Sequence, residues 1–453
     1  MLHHRDIIVA PATPTGGALT LIRLSGEGSI ALCDKIFRGE SPLSEAKGFT
    51  LHYGDIVDGE QRVDDVLLTL FRAPHSYTGE ESIELSCHGS SYIANRIIEL
   101  CVAHGARMAT AGEFTMRAFL NGKLDLMQAE AVADLISAES QSAHKIATRQ
   151  MRGEYSSRLS ELRKELVKLA SLLELELDFS EEDVEFANRD TLRENMLRLS
   201  SEIELLKESF RLGNALKEGV MVAIVGEPNV GKSTLLNRLV GEERAMVSDI
   251  AGTTRDTIEE QIVIDGVKFR FIDTAGLHDS CDKLEIMGME RTRKAISKAH
   301  IILQIVESKC GIAESIELEK EQHLITIYNK IDTLSCEESE RLSRELQGAN
   351  KSLCISARSG QGVDELRKML RSSVDTSALD MGGVVIANGR HAEALHLAQQ
   401  SLTRALQGLT ENLPTDLLAE EIRQVSYHIG CITGDISSDD ILHSIFSTFC
   451  IGK

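Results

Sequence analysis

The stretch Gly226–Thr234, which reads GEPNVGKST, constrains the fold of this chain more than any other feature. It matches the pattern G-x-x-x-x-G-K-[ST], follows the apolar run Val220–Val225 and precedes the helical pattern Leu235–Val240. In that setting the glycines let several backbone N–H groups converge on a phosphate, and the start of the helix adds partial positive charge. The sequence therefore predicts a phosphate-binding loop between a buried strand and a helix.

The side chains of this loop suit a nucleoside triphosphate held with a metal ion. Lys232 is predicted to reach the outer phosphates, and the Ser233 hydroxyl to ligate Mg²⁺. Asn229 carries an amide oxygen that can ligate a monovalent cation. The candidate nucleotide-binding residues of the loop are Asn229, Val230, Gly231, Lys232, Ser233 and Thr234.

A second motif follows the strand-like run Lys268–Ile272 and reads DTAG. Asp273 falls at the strand end, where it can bind the Mg²⁺ shell through water, and the Gly276 N–H can meet the γ-phosphate. Together with the phosphate loop this pattern predicts a switch that senses the γ-phosphate. Its candidate nucleotide-binding residues are Asp273, Thr274, Ala275 and Gly276.

Two further motifs predict that the base is guanine. In Asn329-Lys330-Ile331-Asp332 the Asp332 carboxylate can accept hydrogen bonds from both N1–H and the 2-amino group, a pair that adenine does not offer. The backbone of Ser356 and Ala357 can meet the guanine O6. Four motifs in the expected order, each after a predicted strand, indicate a guanine-nucleotide domain.

The loop between the first two motifs is predicted to contact the nucleotide and its ions, with Thr254 as a second Mg²⁺ ligand. Its candidate residues are Ser248, Asp249, Ile250, Ala251, Gly252, Thr253 and Thr254. Leu277 stands where Ras-like proteins have the glutamine that orients water, so hydrolysis must be organised in another way. The candidate carboxylates are Asp279, Asp282 and Glu285, and either a monovalent cation or a group from another molecule can supply positive charge.

Composition limits the ways in which this chain can meet nucleic acid. Its net charge of −21 opposes nonspecific binding, and it has no tryptophan and few aromatic residues for base stacking. If RNA is the substrate, a local basic patch or a partner must supply most of the affinity. Nine scattered cysteines without C-x-x-C, the lack of a signal-peptide pattern and the lack of a long apolar run predict a cytoplasmic protein without a membrane span.

The texture of the sequence predicts a multidomain fold with α/β and α parts. Residues 1–120 predict an α+β domain, and residues 219–376 predict an inserted P-loop Ras-like GTPase domain with a mainly parallel sheet. Residues 121–218 and 377–453 carry apolar residues at helical spacing and predict one discontinuous helical domain. Predicted strands are Ile7–Ala10, Ala18–Leu24, Asp64–Phe71 and Glu81–Ser86, and predicted helices are Ser91–Ala103, Arg390–Leu409 and Leu417–Ile429.

Several motifs outside the nucleotide domain carry a resemblance to a known family. They are Ser76–Glu80 (SYTGE), Arg117–Asp125 (RAFLNGKLD) and the ending Phe449–Lys453 (FCIGK), beside the loop GTTRD at Gly252–Asp256. With these motifs the chain closely resembles the MnmE (TrmE) family of tRNA-modification GTPases over essentially its whole length. A generic ribosome-assembly GTPase would share only the middle of the chain.

The resemblance implies an activity and a set of partners. The family acts with a flavoprotein of the MnmG (GidA) type, which alone carries the FAD, to add an aminomethyl or carboxymethylaminomethyl group at C5 of the wobble uridine of certain tRNAs. Its N-terminal domains form a homodimer and bind 5-formyl- or 5,10-methylene-tetrahydrofolate. Its GTP hydrolysis uses K⁺ and dimerisation of the G domains.

The resemblance also implies roles for individual residues. The folate site would comprise Arg23, Glu84, Lys123 and Lys453, and Cys450 would be a functional thiol. The K⁺ ligands would be Asn229, Ser248, Ile250 and Thr253, and Glu285 would be the catalytic carboxylate that orients water. One departure is the strand end Ile305–Ser308, which has Glu307 where an aspartate is usual.

Two alternatives remain open at this point. The chain can instead be a regulatory GTPase switch in ribosome assembly or RNA binding, without any modification activity. Its N-terminal domain can also be a dimerisation module that binds no folate.

Overall fold

The computed structural model describes residues 6–178, 189–241, 259–273, 296–310, 316–319, 322–346, 352–380 and 383–452. The chain divides into two compact units. The first comprises Met1–Ile136, Arg149–Leu199 and Leu397–Lys453, and the second comprises Ser137–Thr148 and Ser200–His396. Each unit combines part of the helical region with one of the other two predicted domains, so the predicted boundaries at 120, 218 and 376 stay predictions.

The first unit contains a seven-stranded sheet in the order β3-β4-β5-β6-β2-β1-β7. Its strands are β1 Ile7–Pro11, β2 Leu19–Ser25, β3 Phe37–Gly39, β4 Thr50–Asp58, β5 Gln61–Phe71, β6 Ser82–His88 and β7 Ala106–Met108. Neighbouring strands are antiparallel except β1 and β7, which are parallel. The four strands predicted for this region are confirmed.

Helices α1 (Ser29–Ile36) and α2 (Ser91–Ala103) cover one face of this sheet. The alternation along β2, β5 and β6 sends Ile22, Leu68 and Leu85 into the core, where they are fully buried. Burial of one such side chain contributes about 1.5–3 kcal/mol. The residues between them, including Arg23 and Glu84, therefore lie on the opposite face of the sheet.

The helical region follows the leucine pattern of the sequence. Its helices are α3 Glu113–Leu120, α4 Leu126–Ser137, α5 Gln141–Met151, α6 Glu154–Asp178 and α7 Arg189–Glu218, followed near the end of the chain by α12 Gly389–Thr410, α13 Thr415–Thr433 and α14 Asp439–Phe446. Within the first unit α13 packs along α6, and Leu159, Leu162 and Leu166 of α6 are buried. The early and late helical stretches therefore pack together, as the sequence predicts.

The second unit contains a six-stranded sheet in the order β13-β12-β11-β8-β10-β9. Its strands are β8 Val220–Val225, β9 Glu259–Ile264, β10 Val267–Asp273, β11 Ile301–Glu307, β12 His323–Asn329 and β13 Ser352–Cys354, and its helices include α8 Lys232–Gly241, α9 Cys336–Glu345, α10 Val363–Ser372 and α11 Ser377–Asp380. Among the described strands of this sheet, only β9 and β10 pair in antiparallel fashion, which confirms the mainly parallel sheet.

The carboxyl ends of the parallel strands meet at one edge of this sheet, where ligands bind in such folds. All the nucleotide motifs that the structure describes follow one of these strand ends. In the described ranges, no helix is both long enough and apolar enough to cross a lipid bilayer.

Candidate functional site

The predicted phosphate loop lies between β8 and α8, and two of its glycines are needed for its shape. Gly226 and Gly231 have φ values of +153° and +100°, which favour glycine. A Cβ at Gly226 would overlap the Ile305 carbonyl oxygen, and one at Gly231 would overlap the side-chain nitrogen of Asn329. The loop therefore runs against two other strand ends and leaves no room for larger residues at these positions.

Lys232 begins α8 and turns its ammonium back into the loop. Its Nζ donates hydrogen bonds to the carbonyl oxygens of Gly226 at 2.8 Å and Glu227 at 2.7 Å, and the residue is only 7% exposed. Ser233 and Thr234 follow in the first helical turn and are exposed. The Lys232 ammonium lies within the loop, and the exposed Ser233 lies in the first turn of α8, where the helix N-terminus favours a bound phosphate.

Asn329 joins the phosphate loop to the last nucleotide motif. Its amide nitrogen donates to the Val230 carbonyl oxygen at 2.8 Å, and its amide oxygen accepts from the Ala357 N–H at 2.9 Å. The side chain is only 2% exposed, so both hydrogen bonds form away from water. One buried amide therefore holds together three segments that are far apart in the sequence.

The rest of the predicted guanine site is arranged around this amide. Lys330 has the left-handed φ of +67°, and Asp332 lies exposed in a short 3-10 turn. Ser356 is fully buried beside Ala357. The unusual Glu307 at the end of β11 accepts a 2.7 Å hydrogen bond from the Lys330 ammonium, so the departure from the usual aspartate still gives an ion pair at this strand end.

Several predicted site residues lie outside the described part of the chain. They are Ser248, Asp249, Ile250, Ala251, Gly252, Thr253, Thr254, Thr274, Ala275, Gly276, Glu285 and Lys453. Asp273 ends β10, where the parallel register places it beside Ile224 of β8, but its side chain is also outside the described part. Their roles stay predictions.

In the first unit, Arg23 and Glu84 face each other across β2 and β6 and form an ion pair at 2.8 Å. The Arg23 guanidinium lies 5.3 Å from the Tyr77 ring centroid and 5.7 Å from that of Phe114, which are cation–π distances. These rings hold the cation in place on the sheet face. The structure therefore brings two predicted folate residues together.

The end of the chain returns to the same place. Ile451 forms a β-bridge with Ala111, and the Gly452 carbonyl oxygen accepts a 3.4 Å hydrogen bond from Arg23. Gly452 has φ of +97°, and a Cβ there would overlap the Pro11 carbonyl oxygen, so only glycine fits. Cys450 is exposed one residue before the bridge. The segment that precedes Lys453 thus lies at Arg23.

Lys123 lies in a neighbouring loop of the same unit. Its ammonium donates to the Pro74 carbonyl oxygen at 3.1 Å, and its stem lies against Gly79 of the SYTGE motif. Within the described residues, Lys123 forms no hydrogen bond or ion pair with Arg23 or Glu84, so its place in a common site stays a prediction.

The sequence analysis missed a buried ion network in the first unit. Arg117 of the RAFLNGKLD motif is 1% exposed and donates to Asp6 at 2.6 Å and to Glu113 at 3.0 Å, with Glu80 at 3.3 Å. Arg107 forms two further hydrogen bonds to Glu113. The sequence does contain one indication of this network: Arg117 directly precedes the apolar residues Ala118, Phe119 and Leu120. An arginine next to such a run can be buried with it if carboxylates pair with its charge.

Comparison with known proteins decides the family. Residues 7–123 match the model for the "GTP-binding protein TrmE N-terminus", and residues 126–450 match the model for the "MnmE helical domain". The chain belongs to the MnmE family. A "tRNA modification GTPase MnmE" of Christiangramia forsetii is 48% identical over 471 residues, which cover 99% of this chain and 99% of that protein.

A second MnmE relative also matches this chain over nearly its whole length. A protein of the same description from Flavobacterium johnsoniae is 47% identical, with 99% of this chain and all of the relative covered. Among solved structures, Era of Aquifex aeolicus bound to GDP and AlF4⁻ is 26% identical, covers 40% of this chain and 66% of its own, and gives a TM-score of 0.26. The similarity to the MnmE relatives spans both units.

Proposed function

We propose that this chain is a GTPase that, with a flavoprotein partner of the MnmG type, modifies C5 of the wobble uridine of certain tRNAs. The observation that carries the proposal is the buried Asn329 amide, which joins the phosphate loop to the Ser356–Ala357 loop in a chain similar from end to end to proteins described as tRNA modification GTPases. The added group would be aminomethyl or carboxymethylaminomethyl.

In the proposed nucleotide site each residue has a defined task. Lys232 neutralises charge on the outer phosphates, and Asp332 selects guanine through two hydrogen bonds. The Ser233 hydroxyl, exposed at the start of α8, suits Mg²⁺, and Thr254 would be its second protein ligand. Mg²⁺ held by these residues would supply positive charge to the triphosphate.

A second cation site is proposed at the phosphate loop. Asn229 is exposed in the phosphate loop and has a left-handed φ of +63°. With oxygens of Ser248, Ile250 and Thr253 it would hold K⁺, whose charge replaces that of an arginine finger. Leu277 has no polar group that could orient the attacking water. Glu285 is therefore proposed to orient this water by accepting a hydrogen bond from it.

Replacing Glu285 by alanine should slow GTP turnover at least tenfold, because the attacking water loses its acceptor. Exchanging K⁺ for Na⁺ should slow wild-type turnover by a similar factor, since the smaller ion fits the oxygen cage poorly. Phosphate release is the measurement, and Glu340→Ala, an exposed residue of α9, is the matched control that should keep full turnover. If neither change reaches tenfold, the proposed hydrolysis mechanism is wrong.

We further propose that the first unit binds a reduced folate, 5-formyl- or 5,10-methylene-tetrahydrofolate, in a homodimer. Arg23 and the C-terminal Lys453 supply cations, Glu84 supplies an acceptor for the pterin, and Lys123 lies nearby. The sheet face that carries the Arg23–Glu84 pair also exposes large apolar side chains, which favours a protein partner on this face. These side chains are Leu19, Leu51, Tyr53 and Leu67. Cys450 is proposed as the functional thiol at its rim.

The net charge of −21 favours a complex in which the flavoprotein holds most of the tRNA, and we place that complex in the cytoplasm.

Depletion of this chain from its own cells should leave C5 of the wobble uridine unmodified in the affected tRNAs. Nucleoside analysis by mass spectrometry measures this, and complementation with the wild-type chain is the control. Unchanged wobble uridine would instead favour a regulatory switch in ribosome assembly.

A further inference from the structure

Phe49, the residue before β4, combines an unusual backbone conformation with an exposed aromatic side chain. Its φ is +61°, a left-handed value that a bulky residue rarely adopts, and its side chain is 69% exposed. A large apolar side chain is thus held out in water on a strained backbone. Strain of this kind persists where the surroundings enforce it, and it concentrates at ligand sites.

The surroundings that enforce it are visible. The Phe49 N–H donates to the Leu70 carbonyl oxygen at 2.8 Å, which fixes the residue at the start of β4. The Arg72 guanidinium donates to the carbonyl oxygens of Ser44 at 2.7 Å and Ala46 at 2.8 Å, which closes the preceding loop. The fold therefore holds the backbone of Phe49 in place at the start of β4.

The ring has aromatic neighbours and a cation nearby. Phe71 packs edge-on against Phe49 with ring centroids 5.7 Å apart, and the His75 ring lies 6.5 Å away. We call Phe49, Phe71 and His75 the aromatic platform. Lys123 donates to the carbonyl oxygen of Pro74, the residue before His75, so an ammonium stands close to the platform.

Strand register places the platform on the same face as the Arg23–Glu84 pair. Thr69 of β5 lies directly opposite Glu84 of β6, and Glu84 lies opposite Arg23 of β2. Phe71 is two residues beyond Thr69 on the same strand, so its side chain points to the same face, roughly 7 Å further along. The Arg23–Glu84 pair and Phe71 of the platform therefore lie on one face of the sheet.

We propose that Phe49 is the stacking residue for the aminobenzoyl ring of a reduced folate. This rests on the folate site proposed above. The two ring systems of a folate are joined by a short bridge, which suits a polar pair and an aromatic surface on the same sheet face. The reduced pterin has lost part of its aromatic character, so the aminobenzoyl ring is the better partner for an exposed phenyl face.

The test measures binding of 5-formyl-tetrahydrofolate to the full chain by isothermal titration calorimetry. Phe49→Ala should weaken binding about tenfold, whereas Phe49→Tyr, which keeps the ring, should bind as wild type does. Tyr92→Ala is the control, because Tyr92 is 73% exposed at the start of α2, and it should not change the affinity. Pterin-6-carboxylate, which lacks the aminobenzoyl group, should bind wild type and Phe49→Ala equally.

The outcomes separate the two proposals. Wild type that binds no folate overturns the folate site and this inference together. Wild type that binds while Phe49→Ala binds equally well overturns the inference alone, as does an equal loss of affinity for pterin-6-carboxylate. A Phe49→Ala chain that dissociates from dimer to monomer in sedimentation velocity assigns the ring to the subunit contact and likewise overturns it.

Discussion

Gly231→Ala should weaken binding of guanine nucleotides by at least 100-fold and destabilise the second unit. The added methyl group would overlap the Asn329 amide nitrogen, and the φ of +100° is strained for alanine. Asn329 cannot retreat without giving up its buried hydrogen bonds to Val230 and Ala357. Backbone strain costs about 1–3 kcal/mol, and each buried group left unpaired costs a similar amount.

Fluorescence titration with a labelled GDP measures the affinity, and circular dichroism follows the thermal transition. Gly241→Ala is the matched control, because Gly241 ends the same helix α8 and is not in the left-handed region, and among the described residues no atom lies where the methyl group would be. It should bind as wild type does. A Gly231→Ala chain that binds GDP within threefold of wild type would show that Asn329 does not fix the loop.

The nucleotide unit could be predicted from the sequence because each of its motifs is local and follows a buried strand. The strand Val220–Val225 and the loop after it are adjacent in the chain, so pattern and structure coincide. The order of the motifs then implies a parallel sheet, because short βα units leave few other topologies. The sequence pattern does not predict that the Asn329 amide links Val230 of the phosphate loop to Ala357 of the last motif.

Strand β4 was missed for a physical reason. Its exposed face carries Leu51 and Tyr53 while Ile56 and Val57 are buried, so the strand shows no clean alternation of apolar and polar residues. Alternation of apolar and polar residues fails to predict a strand whose outer face carries apolar residues for binding a partner or ligand. Leu51 and Tyr53, which obscure the alternation expected of a strand, are also among the exposed apolar residues that favour a protein partner on this face.

The folate site could be predicted only through family motifs. Arg23 and Glu84 are 61 positions apart, and Arg23 and Gly452 are 429 apart, so nothing local in the sequence pairs them. Their meeting depends on strand register and on the return of the C-terminal segment. Arg117 was named only as part of a family motif, and its burial among carboxylates could not be read from the sequence, because arginines are mostly exposed.

Arg117→Met should lower the free energy of unfolding of the first unit by about 3 kcal/mol or more, because removal of one partner leaves buried charge poorly compensated. Asp6 and Glu113 then keep Arg107 as their arginine partner, and Glu80 loses its arginine but keeps a hydrogen bond from the Ser25 hydroxyl. Hydrogen exchange of the β1 and β2 amides measures the local stability of this unit. Arg62→Met is the control, since Arg62 is an exposed residue of the same unit whose ion pairs contribute little.

The pH dependence separates lost charge pairing from lost packing. Burial raises the pKa of Glu113, but hydrogen bonds from Arg107 and from the Thr110 N–H outweigh burial and lower the pKa from 4.5 to about 2. A lowered carboxyl pKa stabilises the fold above pH 4.5, and this stabilisation is lost as the pH falls towards 2. The difference between wild type and Arg117→Met should therefore shrink over that interval, because both chains then carry a neutral Glu113. A difference that stays constant from pH 7 to pH 3 would mean that Arg117 stabilises the fold by filling space and not by its charge.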